Sequence, residues 1–94
     1  NPFSPGQFLW DSLDNSIDRI NKAENENMFK YFYRMLYMIK YQSKEKKFAG
    51  DNKYAVALAN KLKTRFDNHE FGPTLMSCWD NIDDLYEEHF GKSK

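Results

Sequence analysis

A chain of 94 residues, 40% apolar and 17% aromatic, suits one domain and is too rich in core-forming residues to stay disordered. No apolar run approaches the roughly 18 residues of a membrane-spanning helix, so no membrane partner is expected. Fourteen basic residues balance fourteen acidic ones, a net charge of zero that argues against bulk attraction to nucleic acid or a membrane surface.

Four segments carry helical periodicity and none alternates like a strand. The first helix is expected over about 5–22. Ser4, Pro5 and Gln7 form a capping box with proline at the first helical position, and Phe3 and Phe8 stand as a hydrophobic staple. Leu9, Trp10, Leu13, Ile17 and Ile20 make its apolar stripe. Asp18 and Lys22 form an i,i+4 pair worth about 0.3 kcal/mol. The polar link Glu24–Asn27 follows, with Asn25 as N-cap of a second helix over about 26–47. Met28, Phe29, Phe32, Met35, Leu36 and Ile39 give that helix a wide apolar face.

Ser43–Asn52 is the longest linker segment, in which Gly50 can turn left-handed and Phe48 is expected to tuck back onto the bundle. The third helix is expected over about 53–66, with Ala55, Leu58, Ala59, Leu62 and Phe66 inward. A turn at 67–73 leads to a fourth helix over about 74–90, ended by Gly91. Its apolar face is Leu75, Met76, Trp79, Ile82, Leu85, Tyr86 and Phe90. The fold class expected is all-α: a compact four-helix bundle, antiparallel up-down or a close variant. Tryptophans on the first and last helices predict that the terminal helices meet. The chain does not begin with methionine, so residues 1–94 are expected to be one helical domain of a longer chain.

The zero net charge divides into blocks. Residues 1–29 carry −3, residues 30–66 carry +8, and residues 67–94 carry −5. On the second helix Lys30, Tyr33, Arg34, Tyr37 and Tyr41 recur at 3/4 spacing away from Phe32 and Ile39, with Lys40 at the edge. Lys44, Lys46 and Lys47 extend this face into the linker. Tyrosine supplies flat contact area at low entropic cost, and arginine can clamp a carboxylate. These nine residues are the candidate partner-binding site. The plainer reading is half-buried bundle edges with solvated lysines. Met38, with Tyr31, Tyr41 and Phe48, is a second set suited to an adaptable partner groove, although the methionines otherwise read as core fillers.

Asp80, Asp83, Asp84, Glu87 and Glu88 form an acidic face with like-charge i,i+4 pairs, each costing a few tenths of a kcal/mol. In an antiparallel hairpin of the last two helices, Lys61 would lie opposite Asp80 and Lys53 near Glu87. The calcium-loop spacing is missing from these acids. Three residues separate Arg65 from His69, which departs from the Arg-x(4–6)-His motif of helical HEPN-type ribonucleases, so His69 reads as a turn residue. Cys78, the lone cysteine, reads as a packed thiol, and its lack of a disulfide partner points to an intracellular location, cytoplasmic or nuclear.

No catalytic or metal signature is present and no cofactor is expected. The reading is a non-enzymatic interaction domain, an adaptor or assembly module, that binds another protein or a second copy of itself through the second helix. The alternatives are a nucleic-acid-binding helical module on the same basic surface, and a small nuclease-like or defence-associated domain.

Overall fold

The computed structural model describes the backbone of residues 5–92, with side chains from Trp10 onward. The Ser4–Gln7 capping box and the Phe3/Phe8 staple lie outside the described residues. The fold is an all-α bundle of five helices: α1 Pro5–Ile20, α2 Glu26–Gln42, α3 Lys53–Asp67, α4 Leu75–Asp80 and α5 Ile82–Phe90. Its radius of gyration is 13.0 Å, close to the value of about 12 Å for a compact chain of this length.

The predicted stripes meet in one core. Leu13, Ile17, Ile20, Phe29, Leu36, Ile39, Leu58, Leu62, Phe66, Leu75, Trp79 and Ile82 are buried together. Phe29 is the hub, with Phe66 edge-on at 5.0 Å and Phe32 edge-on at 5.5 Å. Gly72 passes so close to this ring that an added Cβ would lie 2.7 Å from Phe29 Cε2, so the turn needs a glycine there. The loop ends are capped as their residue types dictate. Asn25 Oδ1 accepts from Met28 N–H, Asn52 Oδ1 from Tyr54 and Ala55 N–H, and Thr74 Oγ1 from Ser77 N–H.

Three expectations about the helices are corrected. First, α2 stops at Gln42 and does not continue through Lys47. Ser43 leaves the helical conformation, and Lys46 takes a positive φ of 54° that no continuing helix allows. The linker is held by Trp79, whose Nε1–H donates to the Lys46 carbonyl at 3.2 Å while Phe48 packs edge-on against the indole at 5.1 Å. Tertiary contact thus overrides a run of residues with good helix propensity.

Second, the expected last helix is two. Asn81 N–H still donates to Ser77 O, and Leu85 N–H to Asn81 O. The Trp79 carbonyl, which an unbroken helix would offer to Asp83 N–H, instead accepts from the Lys40 ammonium at 2.8 Å. The Asn81 side chain also donates to Ser77 O at 3.1 Å, competing with the helix ladder as asparagine commonly does.

Third, the terminal helices do not meet among the described residues. α1 lies against α2 and α3, while α5 lies along α2. The α1–α3 pair is laced by three polar contacts. Tyr54 Oη donates to Asp11 at 2.8 Å, Lys61 Nζ to Asp14 at 3.3 Å and Arg65 Nη2 to Asp18 at 3.3 Å. Both sets ascend in number, so α1 and α3 run parallel. Lys61 therefore pairs with α1 and not with Asp80, and Asp18 faces Arg65 and not Lys22. The cation of each of the two ion pairs, Lys61–Asp14 and Arg65–Asp18, stays partly in water, so each is worth about 0–1 kcal/mol and mainly sets register.

Candidate functional site

The nine candidate residues on α2 and its linker split into two groups. The first is consumed by α5, which runs antiparallel along α2. Tyr33 is buried at 7% exposure, and the His89 ring sits 5.5 Å from it. Burial is the main cause that pushes the Tyr33 phenol up to about 12. Tyr37 is half-buried and stacks on Tyr86, 3.9 Å between centroids at 17°. Lys40 is half-buried, with its ammonium on the Trp79 carbonyl and 5.7 Å over the indole. These three do not form the open contact face expected from the spacing. The plainer reading, bundle edges, holds for them.

The second group stays exposed, apart from half-buried Lys30. Tyr41 is exposed, and its hydroxyl donates to Asp83 Oδ1 at 2.7 Å. That hydrogen bond is the main cause raising its phenol to about 12. The Lys46 ammonium lies 5.1 Å over the Tyr41 ring. Lys47 pairs with Glu45 at 3.3 Å, both strongly exposed. Lys44 is exposed. Lys30 lies 5.7 Å over Tyr31, and Arg34 rests 5.9 Å over Phe90.

The acidic face is thus less isolated than its sequence implies. Asp83 is engaged by α2 through Tyr41, and with the break at Asn81 both Asp83 and Asp84 fall in the first turn of α5. Carboxylates there suit the positive end of the helix dipole. Asp80 closes α4 and Asp84 lies in the first turn of α5, so these two acids do not share one unbroken helix. Asp80, Asp84, Glu87 and Glu88 stay exposed. Among the described residues, no group of three or more His, Cys, Asp or Glu side chains could hold a metal ion.

The feature underestimated from the sequence is the opposite side of α2. Met28, Tyr31 and Met38 are exposed, at 39%, 61% and 53%, and Met35 between them is half-buried. Their 3/4/3 spacing aligns them along the seam where α2 packs antiparallel to α1. Two clefts open there. One, of about 270 Å³, is lined by Ser12, Leu13, Ser16, Tyr31, Arg34, Met35, Met38 and Ile39. The other, of about 420 Å³, is lined by Arg19, Lys22, Ala23, Met28, Tyr31 and Phe32. Tyr31 lines both, so the two clefts adjoin at its side chain along the α1–α2 seam. The 3/4/3 periodicity was legible, but methionine at helical spacing reads first as core filler. Met76 on α4 is likewise exposed, at 44%.

The residues weighed for enzymatic chemistry are engaged elsewhere. The Arg65 guanidinium pairs with Asp18, whereas the His69 ring packs 4.9 Å from Phe29 and its Nδ1 accepts from Phe71 N–H. Cys78 is fully buried, and burial pushes its thiol up to about 12. No helix among the described residues is long and apolar enough to cross a membrane. Comparison with protein-family models, curated proteins and solved structures finds no match.

Proposed function

We propose that this helical bundle is a non-enzymatic interaction domain that binds a partner protein through the uncovered side of α2 and the linker after it. The observation that carries this reading is the stripe Met28, Tyr31 and Met38, exposed among the described residues with half-buried Met35 between them, beside the cations Lys30 and Arg34. Methionine repacks around differing partners, and tyrosine and arginine are enriched where interfaces carry their energy. Lys44, Lys46 and Lys47 follow at the α2 C-terminus and would steer an acidic partner as rim charges. An intracellular setting fits a chain whose lone cysteine is a buried thiol.

The test is affinity capture from extract of the source cells. The wild-type domain is compared with Tyr31→Ala/Met38→Ala, with Lys44→Glu/Lys46→Glu/Lys47→Glu, and with Asp84→Lys on the opposite face. The expected result is a protein retained by wild type and Asp84→Lys and lost from both α2-side variants. Capture that is nuclease-sensitive and falls by about 0.9 log units per phosphate contacted, per log unit of salt, would favour the nucleic-acid alternative.

A further inference from the structure

Resting on that reading, we infer that the α1–α2 groove takes an amphipathic α-helix of a partner protein with an acidic polar face. The floor is apolar: Leu13, Met35, Met38 and Ile39 in one half, Ala23, Met28 and Phe32 in the other, and Tyr31 between. Every charged group in its lining is a cation, namely Arg19, Lys22 and Arg34. Arg34 is exposed, with its guanidinium 5.9 Å over the Phe90 ring, while Arg19 in the last turn of α1 and Lys22 just beyond it line one cleft together. This combination selects an occupant that brings apolar side chains to the floor and carboxylates to the rim.

The secondary structure of the occupant follows from the same lining. The described floor offers few hydrogen-bonding groups: its hydroxyls are those of Ser12, Ser16 and Tyr31, and Ser16 Oγ already donates to Ser12 O at 2.9 Å. An extended peptide laid there would leave backbone N–H and C=O groups unpaired, whereas a helix satisfies its own. A seam between two antiparallel helices is also the place where a third helix packs ridges into grooves, about 8–10 Å away. From Met28 to Ile39 the seam is about 16 Å long, which matches roughly three turns of helix. The fitting segment therefore carries apolar residues at i, i+4, i+7 and i+11 and Asp or Glu beside them.

A second copy of this chain does not fit. Groove on groove would set Arg19, Lys22 and Arg34 of two copies against each other. Among the described residues, the acids of α1 (Asp11, Asp14 and Asp18) face α3, and the other acidic helix, α5, turns its apolar residues inward, Ile82 buried and Leu85 packed against the core. It has no free apolar stripe to offer.

The probe is a 16-residue blocked peptide with Leu at i, i+4, i+7 and i+11 and Glu at its remaining outward positions, about four turns long. Its companions are the same peptide with Lys for Glu, the same peptide with Ser for Leu, and a single-stranded oligonucleotide. The intact domain carries methyl-labelled methionine. The expected result is that the Leu/Glu peptide binds and shifts the Met28, Met35 and Met38 methyl signals but not that of Met76. Tyr31→Ala and Met38→Ala, both at exposed positions, should each weaken binding about tenfold. Arg34→Glu should shift preference toward the Lys peptide.

No binding of the Leu/Glu peptide, equal binding of the Ser peptide, tighter binding of the oligonucleotide, or concentration-dependent methyl shifts without peptide that persist at 1 M salt would each overturn the inference. The capture experiment reports separately. Loss of a captured partner from the α2-side variants together with an inert Leu/Glu peptide would leave the interaction reading standing and remove only the helical acidic occupant.

Discussion

Asp67 uses both of its carboxylate oxygens to tie the end of α3 to the start of α4. Oδ2 accepts from Lys63 Nζ at 2.7 Å, and Oδ1 accepts from the Leu75 backbone N–H at 2.9 Å. The Lys63 hydrogen bond is the larger cause, and the Leu75 N–H the second, holding this carboxyl below its ordinary value of 3.8. A lowered folded-state value means that the group stabilises the fold above pH 3.8 and that this contribution is lost as pH falls through the folded value. Asp67→Asn keeps an acceptor for Leu75 but loses the charge. It is predicted to cost about 0.5–1 kcal/mol near neutral pH. Urea unfolding of both proteins checks this: the difference should persist down to pH 3.8 and close well below it. The sequence marks 67–73 as a turn, yet nothing in it shows that residue 67 reaches an amide eight positions away. That contact exists only once α4 is in place.

The helices themselves were legible because their apolar stripes repeat every three or four residues and their starts carry Asn or Thr caps. Their ends were not, because the ends are decided by partners distant in sequence. The α4–α5 break and the end of α2 share one cause, the packing of Trp79 against Lys40, the Lys46 carbonyl and Phe48. The tyrosine face was misread for a related reason. Spacing shows that Tyr33 and Tyr37 share a side of α2, but only the path of α5 shows that this side is covered. A substitution separates these causes. Lys40→Met keeps the alkyl stem but returns the Trp79 carbonyl to Asp83 N–H. The prediction is a helix that runs more continuously through Asn81, seen as stronger hydrogen-exchange protection at Asp83 and a larger far-ultraviolet helical signal. The regained backbone bond offsets the lost one, so the net cost should be no more than about 1 kcal/mol. Unchanged protection at Asp83 would assign the break to the Asn81 side chain alone.

At the scale of the molecule, the acidic, basic and acidic blocks fold so that each end lies on the middle. The α1 acids meet α3 through Asp14 and Asp18, and α5 meets α2 through Asp83. What stays uncancelled is a set of cations along the α1–α2 seam and a set of carboxylates, Asp84, Glu87 and Glu88, on α5. A neutral molecule with separated patches of opposite sign attracts its neighbours weakly, over a range set by screening. That range is about 30 Å at 0.01 M salt and about 8 Å at 0.15 M. The internal pairs are exposed and worth about 0–1 kcal/mol each, so raising salt to 1 M is predicted to lower folding stability by no more than about 1–2 kcal/mol. Between molecules the same salt should act more visibly: light scattering should show net attraction at low salt, fading by 0.15 M to the mass of a monomer, about 11.2 kDa. The two readouts distinguish charge from apolar contact. Attraction between patches is removed by salt, whereas burial of the Met28–Met38 stripe is not. A dimer that persists at 1 M salt would therefore mean that a second chain covers the α2 groove, and the acidic helix assigned to that groove would have to be given up.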